Sequence, residues 1–168
     1  MTAIWITEEL GKLETFNPLP SFWRGECLNL FSMGEVAVAD CLDAMREANV
    51  ALDTESTHPG QAARMRALML ALSTYRFAGH SKVAAARLED WQHLYEHRHW
   101  LAHGVMTIAG STTEFRLLTF FSGEPEEKGV RRYDRMEKRE LLGRLCTVYG
   151  LMFAQFGQIQ AACKRGDV

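Results

Sequence analysis

Arg98, His99 and His103 stand together in Glu96-His97-Arg98-His99-Trp100-Leu101-Ala102-His103-Gly104, a segment with three of the chain's six histidines. An unperturbed imidazole titrates near ~6.5 and can therefore take or give a proton at neutral pH. Arginine stays charged and presents a planar fork of N–H donors that engages two phosphoryl oxygens at once. These residue types suit cleavage of an RNA phosphodiester without a metal. His103 would be the general acid or base at the ribose 2′-hydroxyl or the leaving 5′-oxygen. Arg98 would clamp the phosphoryl oxygens as negative charge builds up in the transition state. His99, at i, i+4 from His103, shares its helical face and would orient the phosphate or support His103. The products expected carry a 2′,3′-cyclic phosphate and a 5′-hydroxyl.

Helical geometry complicates this arrangement. Five residues place Arg98 and His103 about 140° apart around a helix axis, so the two do not project in one direction. Three solutions exist: the long Arg98 side chain reaches around, the helix unwinds at Gly104, or a second protomer completes the site. The structural alternative pairs Arg98 with Glu96, Glu89 or Asp90, or has it cap a neighbouring helix. It leaves His103 as a terminal residue favoured by the helix dipole.

Two further clusters compete for a functional role. His93 and His97 have the i, i+4 spacing of a metal-binding pair, with Glu89 one turn earlier. No second helix offers matching ligands, so both are expected to face solvent, and no metal or cofactor is expected. Arg116, Lys128, Arg131, Arg132, Arg135, Lys138 and Arg139 form the one basic concentration, interleaved with Phe115, Phe120, Phe121 and Tyr133. Such a patch suits an RNA backbone and stacked bases, with Arg131, Arg132 and Arg135 as candidate RNA contacts. Glu124, Glu126, Glu127, Asp134, Glu137 and Glu140 dilute it, and a solvated face of mixed charge is the competing expectation.

The elements that must position these residues are mostly helical. After Asn17-Pro18-Leu19-Pro20, the apolar positions Leu28, Phe31, Val38, Leu42 and Met45 recur at three- or four-residue steps and predict a long amphipathic helix. The polar stretch 53–60, ending in Pro59-Gly60, breaks it. A second helix from Gln61 to Gly79 carries Leu68-Met69-Leu70-Ala71-Leu72 and reads as apolar all round, hence central. The third runs from Ser81, as N-cap, to Gly104, as C-cap, which puts the motif at its end. Val105–Ala109 and Phe115–Phe121 read as a hairpin around a 110–114 loop, with a short third strand at Val130–Tyr133. A last helix begins near Glu137. Leu141, Leu145, Val148, Met152, Phe156 and Ile159 form its stripe, and Leu142, Tyr149 and Phe153 widen it. The prediction is one mainly α domain over 1–168, an antiparallel four-helix bundle with a small β-hairpin between the third and fourth helices. The excess apolar face of the last helix suggests a two-fold homodimer.

Composition limits the partners. The chain has 168 residues, 47% of them hydrophobic, and 19 basic against 21 acidic side chains for a net charge of -2, so any phosphate binding must be local. No apolar run approaches the ~20 residues of a membrane span, and a cytoplasmic location is expected. Cys27, Cys41, Cys146 and Cys163 are widely spaced and read as reduced core thiols. Cys27 and Cys41 fall ~21 Å apart on one helix, which rules out a bond between them. There is no Gly-rich phosphate loop, no Gly-x-Ser-x-Gly elbow and no Cys-x-x-Cys.

Arg98, the polar His99 beside it and His103 five positions on resemble the R-x4-H signature of the HEPN superfamily (higher eukaryotes and prokaryotes nucleotide-binding domains). The ending Leu101-Ala102-His103-Gly104 is similar to its common form. The resemblance implies a helical bundle, often dimeric, acting in many members as a metal-independent ribonuclease, with the site composed at a two-fold axis. Some HEPN toxins carry a tyrosine two residues after the histidine, where a partner nucleotidyltransferase modifies them; this chain has Val105 there. The function expected is therefore RNA cleavage by Arg98, His99 and His103, in a toxin or antiphage effector whose antitoxin the sequence does not name. The alternative is a HEPN-like module that binds RNA or nucleotide, or mediates assembly, without cleaving.

Overall fold

Four α-helices, two short 3-10 helices and a three-stranded sheet lie within the described residues, 20–57, 60–121 and 124–168, of a computed structural model. The helices are α1 (Pro20–Glu47), α2 (Gln61–Thr74), α3 (Ser81–His103) and α4 (Arg135–Arg165). The strands β1 (Val105–Ala109), β2 (Thr112–Phe121) and β3 (Glu124–Tyr133) lie between α3 and α4 in the chain. The protein is thus mainly helical, as the periodicity predicts. Among the described residues no helix is long and apolar enough to cross a membrane. Two compact units are distinguishable, one of residues 20–31 with Leu94–Thr147, the other of Ser32–His93 with Val148–Val168.

The sheet belongs to the first unit and runs β1-β2-β3 with antiparallel neighbours. It corrects the expected hairpin in two ways. Thr112, Thr113 and Glu114 pair with Ala109, Ile108 and Thr107, so the loop is only Gly110-Ser111. Gly110 opens that tight turn at a φ of 61°, which side-chain-bearing residues rarely adopt. The third strand spans ten residues instead of four. Its first half was hidden by Glu126, Glu127 and Lys128, whose charges suit an exposed edge strand and not a core-facing one. Leu117 pairs with Gly129 but Leu118 with Glu127, leaving Lys128 as the extra residue of a β-bulge.

Trp23 of α1, Phe115 of β2 and Tyr133 of β3 form the aromatic centre of this unit, with ring centroids 5.2 to 6.3 Å apart. All three are buried, and Trp23 Nε1 donates to the Lys138 carbonyl at 2.8 Å. Lys138 is itself buried, against its assignment to the basic surface. Its Nζ donates to the Ser111 carbonyl at 3.1 Å and to Thr113 Oγ1 at 3.2 Å, which ties α4 to the β1–β2 turn. Just before, Asp134 Oδ1 accepts from the Glu137 amide and Glu137 Oε2 accepts from the Asp134 amide, both at 2.8 Å. That reciprocal capping box satisfies two donors at the helix start and sets where α4 begins.

In the second unit α1 buries Val38, Cys41, Leu42 and Met45, the spacing read from the sequence. The helix closes with Asn49 at a φ of 58°, the Val50 amide on the Met45 carbonyl and the Asn49 amide on the Arg46 carbonyl, the paired bonds of a Schellman end. Helix α2 buries Leu68, Ala71 and Leu72 but leaves Leu70 52% exposed, so it is not apolar-packed on every side. It also stops at Thr74, five residues before Gly79. The Ser73 and Thr74 hydroxyls donate to the Leu70 carbonyl, Tyr75 turns extended, and Phe77, Ala78 and Gly79 follow at positive φ. Complete burial of Phe77 offsets the strain of that left-handed backbone. Ser81 does not cap α3; its hydroxyl donates to the Tyr75 carbonyl. On α4, Met152, Phe156 and Ile159 are buried, whereas Phe153 is exposed at the edge of the stripe. All four cysteines are free, and burial pushes the Cys27 and Cys41 thiols up, away from the reactive thiolate.

Candidate active site at the end of α3

Helix α3 is unbroken through His103, and the Gly104 amide still donates to the Trp100 carbonyl at 2.9 Å. Arg98, His99 and His103 therefore all sit on regular helix, and unwinding at Gly104 is not what reconciles their directions. His99 and His103 are exposed, with ring centroids 5.3 Å apart and planes tilted by 54°. Arg98 is half-buried, its guanidinium carbon 5.5 Å from the centroid of the Tyr95 ring. Tyr95 in turn meets Phe31 edge-on at 5.8 Å. The structure thus brings the two histidines together and rests Arg98 on an aromatic face one turn back, a cation–π contact. Of the carboxylates considered for Arg98, Asp90 pairs with Arg87 at 3.2 Å.

Arg24 of α1 is the residue at this site that the sequence concealed. Its Nε donates to the Leu101 carbonyl at 2.6 Å and a terminal nitrogen reaches the Ala102 carbonyl at 3.4 Å. The guanidinium also lies 5.6 Å over Phe115. A cation on the last carbonyls satisfies acceptors left over at a helix C-terminus and opposes its partial negative charge. Arg24 stands 77 positions before Leu101, and no local pattern announces a contact that distant.

Trp100 and Gly104 fix the helix end against the sheet. A Cβ on Gly129 would lie 2.9 Å from the Trp100 ring, so the indole covers the strand beside the β-bulge. A Cβ on Gly104 would lie 2.9 Å from Phe115 Cβ. Gly104 does not have the positive φ of a left-handed cap; glycine is required there for close approach. Gly104→Ala is accordingly expected to lower stability by about 1–3 kcal/mol, the usual range for overpacking. Denaturant melts of the two proteins measure this, and equal midpoints would mean that the Trp100 carbonyl, 2.5 Å from that Cβ, and β2 both yield without cost.

His97 departs from the solvent-facing expectation, while His93 conforms to it. His97 is half-buried and its Nδ1 lies 2.8 Å from the Tyr133 hydroxyl. Burial, then the nearby Arg131 charge, holds the His97 imidazole below its ordinary range. Burial pushes the Tyr133 phenol from 10.0 up to about 12. The unfolded chain then loses this proton first, so the stability Tyr133 contributes is intact below pH 10 and is lost as pH rises toward 12. Denaturant stability measured across that window should fall more in the wild type than in Tyr133→Phe. Parallel curves would show that the phenol titrates normally.

The proposed RNA contacts are less free than their number suggests. Arg131, Arg132 and Arg135 are exposed. Arg132 and Arg116 share the Glu114 carboxylate at 2.7 and 2.6 Å, and Lys128 pairs with Glu126 at 2.8 Å. The two guanidiniums hold the Glu114 carboxyl below its usual range. Arg131 lies over the Tyr133 ring at 5.6 Å. Phe115 and Tyr133 are core residues and cannot stack bases, a correction to the interleaved-aromatic expectation. The side chains of Phe120 and Phe121 lie outside the described residues. Also among the described residues, no group of three or more His, Cys, Asp or Glu side chains is placed to hold a metal ion. The sequence matches no family model, no curated protein and no solved structure.

Proposed function

We propose that the chain is a metal-independent endoribonuclease of HEPN-like architecture, its helices forming an antiparallel four-helix bundle and two copies composing the active site. The observation that carries this reading is the exposed His99–His103 pair at the capped end of α3. Two adjacent imidazoles supply both halves of the proton inventory. One takes the 2′-hydroxyl proton as that oxygen attacks phosphorus. The other gives a proton to the 5′-oxygen as its bond to phosphorus breaks. Positive charge on the phosphoryl oxygens is the remaining requirement, and Arg98 is the group in the motif that provides it. Because one regular helix directs Arg98 about 140° from His103, a second copy supplies the guanidinium to each histidine pair. A toxin or antiphage role in the cytoplasm suits an enzyme of this kind.

The test incubates purified protein with structured and unstructured RNA in EDTA, beside Arg98→Ala and His103→Ala. Cleavage to 2′,3′-cyclic phosphate ends, lost in both variants, supports the enzyme. Wild-type protein that binds RNA without cutting it supports a non-catalytic module of the same architecture. Cleavage surviving both substitutions removes Arg98 and His103 from the chemistry.

A further inference from the structure

Two imidazoles one turn apart on an exposed helix end also form a chelate. We propose that His99 and His103 together bind one divalent transition metal ion of the borderline class typified by zinc. The spacing of the rings is the main argument. Zinc sits about 2.0–2.1 Å from an imidazole nitrogen, with the ring centre about 1.1 Å behind that atom, so each ring centre lies ~3.2 Å from the metal. A tetrahedral angle between two such ligands puts the ring centres ~5.2 Å apart. The centroids of His99 and His103 are 5.3 Å apart. The ring planes are tilted by 54°, and rotation about χ1 and χ2 directs one nitrogen from each ring at a common point.

The rest of the surroundings select this pair. Both rings are exposed, so a hydrated ion reaches them without opening the fold. Both belong to the last turn and a half of α3. His93 and His97 have the same spacing, but His97 is half-buried and turns onto Tyr133, its ring centroid 5.7 Å from the phenol ring. Cys27, Cys41 and Cys163 are buried and offer no accessible thiolate. With two protein ligands, the ion keeps open positions for water or an anionic oxygen, and copper(II) should bind more tightly than zinc in the Irving–Williams order.

Occupancy would consume the nitrogen lone pairs that proton transfer requires, so the bound ion would suppress cleavage. That consequence rests on the function proposed above; the binding itself does not.

Calorimetric titration of the full chain with zinc chloride, and separately with a copper(II) salt, tests the site. One ion per chain is expected. His99→Ala and His103→Ala should each weaken binding at least as much as the roughly 10- to 100-fold seen when groups supporting a ligand are lost. His93→Ala should leave affinity unchanged. Both ligand positions are exposed, so the fold is retained, and circular dichroism of each variant checks this. Copper(II) should selectively broaden the ring-proton resonances of His99 and His103. Zinc affinity unaltered in both variants, or lowered equally by His93→Ala, overturns the proposal. Protein that binds zinc through these residues yet leaves RNA intact sustains the metal site and removes the nuclease. Cleavage in EDTA without zinc binding does the reverse.

Discussion

RNA cleavage by His103→Ala should be slower than wild type by about 10²–10⁴-fold, the usual contribution of a positioned general acid or base. Arg98→Ala should cost about 10²–10³-fold, the range for removing one donor from a charge-stabilising site. His103 is exposed at the last helical position, so its removal should leave the melting behaviour unchanged, and a loss of activity would then be chemical. The angular separation on an intact helix adds a sharper expectation. If a second copy supplies Arg98 to each histidine pair, equal amounts of the two inactive variants, allowed to exchange subunits, recover activity. Random pairing makes half the dimers mixed, and each mixed dimer has one complete site, so roughly one quarter of wild-type activity returns. Single-turnover assays on the exchanged mixture read this directly. No recovery, with exchange verified by native mass spectrometry, places both residues in one protomer's site.

Trp23→Ala should destabilise the protein by about 3–5 kcal/mol, the range for emptying a buried tryptophan site. The indole is completely buried against Phe115 and Tyr133, and its removal also deletes the hydrogen bond from Nε1 to the Lys138 carbonyl. For a domain whose total stability is ~5–15 kcal/mol this is a large fraction. Trp23→Phe separates the two contributions: it keeps an aromatic ring but not the N–H. A cost of about 0.5–1.5 kcal/mol is expected for the lost hydrogen bond, because the Lys138 carbonyl lies inside α4 and keeps its helical donor. Because Phe115 also abuts Gly104, the alanine variant should loosen the end of α3 and lower cleavage even where the fold persists. Denaturant unfolding with a change under about 1 kcal/mol for Trp23→Ala would mean the site refills from its surroundings.

Much of the helical frame was legible because burial imposes a period. Val38, Leu42 and Met45 on α1, and Met152, Phe156 and Ile159 on α4, repeat at steps that only a helix places on one face. The end of α2 was not legible. Gly79 is a natural terminator, but the Leu70 carbonyl is already engaged by two hydroxyls, and the chain leaves the helix earlier to bury Phe77. The first half of β3 was hidden for a different reason: its charged residues record exposure, and only pairing with β2 makes them a strand. At the site, the contact of His99 with His103 followed from helical spacing alone. Arg24 on the last carbonyls, His97 on Tyr133 and the burial of Lys138 did not. Each depends on a partner between 25 and 78 positions away, and side-chain identity carries no record of such a partner.

The bond from Trp23 to the Lys138 carbonyl spans 115 positions, and this sets a schedule for synthesis. At roughly 5–20 residues per second, about 6–23 s pass between the emergence of the indole and that of its acceptor. Phe115 and Tyr133, its aromatic neighbours, arrive only slightly sooner. During that interval the apolar face of early α1 has no lasting place to go. That stretch is open during synthesis to a chaperone, or to a neighbouring copy on the same messenger.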